Sequence, residues 1–310
     1  MDQVIGAVIN EYRFLKVLGT GSMAEQQSKL FKSVYHVQDV NSQVNYAIKV
    51  YTCPASDIRC HNEAKILEKL SHSNIITLYK NLQMKFKGDS GEIITMDCLV
   101  LEYLEKGDLF EFIAKTGNFG ESLCRYYFKQ LTQVVDFMHG QGFVHRNLKL
   151  ESILLDRKFN LKLCNFACAS YLNKYKDGKL KTKVGTKNYQ APEVLYGAIY
   201  DGVKADVFSL GVILFIMYKG QPPFSKANQQ DALYNLIIQE NHKQFWEIHS
   251  QKMEFSFDFK ELFLGMVNPN PEKRFNIEGV KNSKWFGGVS KTIQDAYEEM
   301  INREKYILKV

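Results

Sequence analysis

The residues of this chain best suited to chemistry lie in a few short stretches. Val144-His145-Arg146-Asn147-Leu148-Lys149-Leu150-Glu151-Ser152 crowds imidazole, guanidinium, carboxamide, ammonium and hydroxyl groups together, and Leu163-Cys164-Asn165-Phe166-Ala167 adds a second carboxamide soon after. A carboxamide accepts a hydrogen bond through its oxygen but has no negative charge and no useful basicity. Asn147 and Asn165 can therefore orient a partner and cannot take its proton. Upstream, Tyr46-Ala47-Ile48-Lys49 sets an ammonium among apolar neighbours, and His61-Asn62-Glu63-Ala64-Lys65-Ile66-Leu67 puts a carboxylate on the helix face that would meet it. A lone strand lysine is usually a solvated charge. The apolar Ala47, Ile48 and Val50 around Lys49, with Glu63 downstream, argue for a charge pair instead.

The elements that must position these groups change character along the chain. Up to about Val100 the pattern predicts strands at Tyr12 to Leu18, Ser33 to Val40, Val44 to Tyr51, Ile75 to Met84 and Ile93 to Leu101, with one helical stretch from about Asp57 to Leu70. After Gly107-Asp108-Leu109 the text turns helical, with long 3.6-period segments at Leu123 to His139, Asp206 to Tyr218 and Gln229 to Gln239. The fold class expected is α+β, a small β-rich lobe followed by a larger α-helical lobe, with a cleft at the junction as the natural ligand site.

From about Tyr12 to Phe286 these landmarks, taken in order, resemble a eukaryotic protein kinase domain of the serine/threonine type, of the calmodulin-dependent or AMP-activated kind. The resemblance divides the chain into a small lobe at about 12–101, a hinge at about 102–107, a large lobe at about 108–286 and a helical tail at 287–310. Leu18-Gly19-Thr20-Gly21-Ser22-Met23-Ala24 looks like the glycine-rich loop that covers the phosphates of ATP, so Leu18, Gly19 and Gly21 become nucleotide-site residues. Its third glycine is Ala24, and about five residues, within Glu25 to Leu30, look inserted before the next strand. That reads either as reduced phosphate affinity or as a harmless hairpin extension. By the same resemblance Lys49 neutralises the α/β-phosphates and pairs with Glu63, while Ala47 and Leu154 sandwich the adenine. The stretch from Leu99 to Asp108 is similar to the hinge, with Leu101 as gatekeeper and the backbone of Glu102 and Leu104 facing the adenine edge. Asp108 is a ribose contact or the cap of the helix starting at Leu109. Glu193 of the Ala191-Pro192-Glu193 motif would pair with Arg274, a pairing of the fold rather than of the chemistry. Lys149 and Thr186 are the serine/threonine-type choices.

The chain departs from the pattern at its acids. Where the resemblance expects the aspartate that accepts the substrate proton stands Asn147, beside the retained Lys149; where it expects the two Mg²⁺ ligands stand Asn165 and Ser152. Losing a general base removes about 10²–10⁴ in rate, and Mg²⁺ is usually held through carboxylates. Ala167 in place of glycine restricts the backbone after Phe166. The implied function is a pseudokinase that binds ATP weakly, leaves Mg²⁺ without its acids, and works as scaffold or allosteric regulator. The alternative is an active or residually active ATP-dependent serine/threonine kinase; a different nucleotide transfer in the same cleft is a third. The implied partner is a protein, an active kinase or a substrate protein.

The bulk properties agree with a globular chain of 310 residues, 45% hydrophobic and 24% charged. A net charge of +6 without a basic stripe on a recognition element argues against a nucleic-acid binder. The longest apolar run, around Leu210 to Tyr218, is too short to span a bilayer. The six cysteines are scattered with no metal-ligand spacing and are expected to be reduced. With no secretory pattern at the start, a cytoplasmic or nuclear location is expected. Lys174, Lys176, Lys179, Lys181, Lys183 and Lys187 surround Thr182 and Thr186, either a solvated face or a place for an acidic partner or a phosphate on Thr182. The tail from about Thr292 to Leu308 is expected to put Ile293, Ala296, Tyr297, Met300, Ile301, Ile307 and Leu308 on one helical face, packed on the large lobe or offered to a partner.

Overall fold

The computed structural model describes residues 4–20, 33–51, 58–88, 90–172 and 179–307. The chain forms two compact units, Met1–Glu105 and Lys106–Val310. The first is strand-rich and the second helical, the two-lobed α+β fold expected. Gly21, the stretch up to Leu30, Lys174 and Lys176 lie outside the described residues.

In the first unit β1 (Val8–Ile9), β2 (Tyr12–Thr20), β3 (Ser33–Asp39), β4 (Asn45–Tyr51), β5 (Leu78–Lys87) and β6 (Ile93–Glu102) form one antiparallel sheet in the order β1-β2-β3-β4-β6-β5. Alternation sends Phe14, Tyr35, Ile48, Val50, Met84, Phe86, Cys98 and Val100 into a shared core. The Phe14 ring meets Tyr35 at 5.2 Å and Phe86 at 6.0 Å edge to face. Helix α1 (Ile58–Leu67) lies against β5 and β6. Its buried Cys60, Glu63, Ala64 and Leu67 keep the i, i+3, i+4, i+7 spacing of one helix face, with buried Ile66 widening it, so Glu63 is carried inward with the apolar stripe.

The expected strand at Ile75 to Met84 starts and ends later. Ile75 and Ile76 are both buried, at 2% and 5% exposure. Two adjacent inward side chains break the two-residue period, and regular alternation begins only inside β5, past the register shift between Leu78 and Lys80.

The second unit contains α2 (Leu109–Thr116), α3 (Glu121–Gly140), β7 (Phe143–Val144), β8 (Ile153–Leu155), β9 (Leu161–Leu163), β10 (Ser170–Tyr171), β11 (Lys179–Leu180), α4 (Pro192–Leu195), β12 (Tyr200–Asp201), α5 (Gly202–Lys219), α6 (Ala232–Ile238), α7 (His242–His249), α8 (Phe257–Met266), α9 (Ile277–Lys281), α10 (Lys284–Gly287) and α11 (Ile293–Ile307). Helix α5 is buried almost all round, as an apolar central helix must be, and packs against α3 and α8. It begins four residues before the expected Asp206, because Asp201 accepts from the amides of Val203 and Lys204. Helix α6 begins three residues later than expected for the same reason: the Asp231 carboxylate caps it at Leu233 and Tyr234.

The tail packs on its own unit through a narrower stripe than the sequence suggests. Ala296 and Met300 are buried, whereas Ile293 is 74% exposed and Tyr297 37%. The rest of the attachment is polar. Lys106 Nζ meets both carboxylate oxygens of Glu304 at 2.7 and 2.8 Å. Arg303 reaches the carbonyls of Thr116, Gly117 and Asn118 at the end of α2, at 3.1–3.3 Å.

Candidate functional site

Each unit carries candidate site residues of its own. In the first, β4 places Lys49 so that Nζ lies 2.7 Å from Glu63 Oε2. Glu63 is 1% exposed, and a carboxylate at that depth needs partners. Tyr51 supplies another, its phenol donating to the same oxygen. Lys49 Nζ also lies 5.2 Å from the centre of the Tyr51 ring. Sequence reasoning passed over Tyr51. Its signal was the two-residue period, since i and i+2 of a strand share a face. Ala47 is buried and pairs in register with Leu101 across β4 and β6. Leu18 is exposed and Gly19 lies opposite Val34. Glu102 closes β6, its amide and its carboxylate both bonded to the backbone of Thr77. The Leu104 side chain is buried two residues on.

In the second unit the loop after β7 is hung from one buried carboxylate. Asp206 accepts from the amide of His145 and the amide of Arg146, both at 2.8 Å, and Oδ2 lies 2.9 Å from His139 Nε2. Burial pushes the Asp206 carboxyl up, but the hydrogen bond and charge of His139, the charge of His145 and the His145 amide outweigh it and hold it below the ordinary value. The sequence signal was a lone acid inside an apolar helix. It fixes the backbone from which Asn147 projects. Arg146, at φ +63, turns its Nε to the Cys168 carbonyl at 2.6 Å. The His145 ring lies 5.1 Å from that of Phe166 edge to face, and its Nε2 is 3.0 Å from the Cys164 carbonyl. That bond ties the loop to the segment holding Asn165.

Asn147 is 5% exposed. Its Oδ1 accepts two bonds from one residue, the amide and the hydroxyl of Thr186, each at 3.0 Å. Both are donors, so the carboxamide orientation is fixed by its partners. What remains on the side chain is an NH₂ group, which only donates. Ser152 is fully buried, its hydroxyl 3.4 Å from the Asn147 carbonyl and its own carbonyl accepting from the Cys164 amide at 2.9 Å. Asn165 sits in the left-handed region at φ +66, ψ +60, which asparagine tolerates better than most residues. Ala167 lies in a 3₁₀ turn, Phe166–Cys168, at ordinary negative φ, so its methyl adds no strain there. Lys149 is buried, with Nζ 3.9 Å from Glu151. Leu154 is half-buried in β8, bridged by backbone to Asp108.

The oxygens offered by Asn147, Ser152 and Asn165 are neutral, and one is already doubly engaged. That set does not fit a Mg²⁺ ion, which takes carboxylates and phosphates. Among the described residues no group of three or more His, Cys, Asp or Glu could hold a metal. Asp108 caps α2, accepting from the Glu111 amide at 2.7 Å, and burial pushes its carboxyl above the ordinary range. Glu193 and Arg274 form a bidentate pair at 2.6 and 2.9 Å.

The profile of the protein kinase domain matches residues 12–286. This chain belongs to the protein kinase family. CBL-interacting protein kinase 10 of Oryza sativa subsp. japonica is 31% identical over 293 residues, covering 92% of this chain and 59% of that protein. CBL-interacting protein kinase 26 of the same plant is 33% identical over 292 residues, 92% of this chain and 54% of the relative. A probable serine/threonine-protein kinase KIN1 homolog of Enterocytozoon bieneusi is 34% identical over 292 residues, 92% of this chain and 44% of that protein. The chain thus spans about half the length of the kinases it resembles. Among the described residues no helix is long and apolar enough to cross a membrane.

Proposed function

We propose that this kinase domain has impaired phosphoryl transfer, binds ATP weakly through Lys49, and acts on another protein as scaffold or allosteric regulator. The observation that carries this is the double engagement of Asn147 Oδ1 by Thr186. A substrate hydroxyl arriving there meets an amide that can only donate, where transfer needs an acceptor. Asn165 and Ser152 add no charge to offset the migrating phosphoryl group. The Lys49–Glu63 pair supports retained nucleotide affinity with little dependence on metal. The protein acted on is an active kinase or a substrate protein, in the cytoplasm or nucleus.

A second reading is residual or full serine/threonine kinase activity. The comparisons favour it, because the relatives are named as protein kinases. The deciding experiment is transfer of radiolabelled γ-phosphate with Mg²⁺ or Mn²⁺. The unmodified chain is expected to be silent and an Asn147→Asp/Asn165→Asp double variant active, with Lys49→Met as control. Activity in the unmodified chain that Lys49→Met abolishes would establish the second reading and remove the first.

A further inference from the structure

Val184, Gly185 and Thr186 are held by side chains from two directions. On one side Asn147 accepts both donors of Thr186. On the other Gln190 turns back, its Nε2 donating to the Val184 carbonyl at 2.7 Å and the Gly185 carbonyl at 3.0 Å. Between them Gly185, at φ +103, brings its backbone so close to the loop that a Cβ there would lie 2.5 Å from the Arg146 carbonyl oxygen. Only glycine fits that approach.

Gln190 is 7% exposed and sits between buried Tyr189 and Ala191. An apolar side chain of the same length would fill that space without desolvating an amide. The flipped carboxamide would set its oxygen against two carbonyl oxygens, so the amide is aimed at Val184 and Gly185 even though Oε1 then finds no partner of its own. The base of Gln190 is itself anchored, since Ser209 Oγ on α5 donates to the Tyr189 carbonyl at 2.8 Å.

The geometry points to Gln190 as a positioning residue that, together with Asn147, clasps residues 184–186 in place with two uncharged carboxamides. Segments ordered by phosphorylation rely on new pairs between arginine and phosphate. Here Arg146 Nε is directed to the Cys168 carbonyl, and the clasp contains no ion pair. The placement of the segment is therefore independent of phosphate on Thr182 and indifferent to salt. This holds whether or not the domain transfers phosphate.

The test is hydrogen exchange at the Thr186 amide in the full chain, before and after phosphatase treatment, at low salt and at about 0.5 M NaCl. Equal protection in all four conditions is expected. Gln190→Leu keeps the volume and removes the donor, so Thr186 exchange should rise roughly tenfold while the slowest amides of α5 stay unchanged. Gln190→Glu, whose ionised carboxylate faces two carbonyls, should loosen the segment at least as much and serves if the leucine variant fails to fold. Asn147→Asp keeps an acceptor and should keep the protection. Intact protection in the Gln190 variants overturns the proposal. So does a loss of protection on dephosphorylation, or an equal rise across α5, which would make Gln190 a general packing residue.

Discussion

Tyr51 donates its phenol hydrogen to Glu63, and to the same carboxylate oxygen that Lys49 holds at 2.7 Å. The buried acid is thus gripped by two groups of one strand, and α1 is tied to β4 through both. A hydrogen bond to an ionised group contributes about 1.5–3 kcal/mol. Tyr51→Phe should lower the unfolding free energy by about 2 kcal/mol in urea titration. Lys49→Met, which leaves Glu63 the phenol in place of an ammonium, should lower it more.

Glu193 and Arg274 form an ion pair in the large unit in which the Arg274 side chain is fully buried. Arg274 also donates to the carbonyls of Asn268 and Lys204. Removing one partner leaves the other charged and unsolvated, which costs about 3–5 kcal/mol. Arg274→Met should show that loss in denaturant titration, and replacing both partners with apolar residues should recover part of it.

His249 links stability to mild acid. Its ring is buried against Phe215 and Phe245, at 4.8 and 4.6 Å between ring centres. Burial pushes its pKa below the usual 6.5, Lys219 adds to that, and the bond to the Pro223 carbonyl opposes it. The unfolded chain therefore binds this proton more readily, so stability is lost as pH falls from 6.5 through the folded value. The slope from this one proton is bounded by about 1.4 kcal/mol per pH unit. Urea midpoints between pH 7.5 and 5 should show the fall, and His249→Gln should flatten it.

Arg303 finishes a helix that is not its own. The last carbonyls of α2 have no partner within the helix, and Arg303 supplies one while its guanidinium lies 4.8 Å from the centre of the Phe119 ring. Arg303→Ala should cost about 1–2 kcal/mol. It should also speed hydrogen exchange in both α2 and α11 while leaving α5 unchanged.

The fold was legible because its signals were strong and redundant: strand alternation, the buried stripe of α1, the apolar length of α5. Lys49 and Glu63 could be paired from sequence, since each sits on an element whose period fixes its face. Boundaries failed where a single side chain decides them, as at Asp201 and Asp231. The tail stripe was read too wide, because apolar residues mark where a face could be and not how much of it a polar clamp such as Arg303 and Glu304 will use. Asp206, Tyr51 and Gln190 stayed unread for a common reason. Each acts on atoms of another segment, 61 residues away for Asp206, 12 for Tyr51 and five or six for Gln190, which reaches back across a turn that no periodicity announces.

The Glu193–Arg274 pair joins residues 81 apart, and Arg303 caps a helix that ended 187 residues before it. Closing such long loops must be offset by contacts that form late. As the chain leaves the ribosome, the Ala191-Pro192-Glu193 corner and the end of α2 wait, half-finished, for residues made much later. Until those arrive the α2 carbonyls and Glu193 lack their partners, and the large unit is completed only by residues 81 and 187 positions downstream.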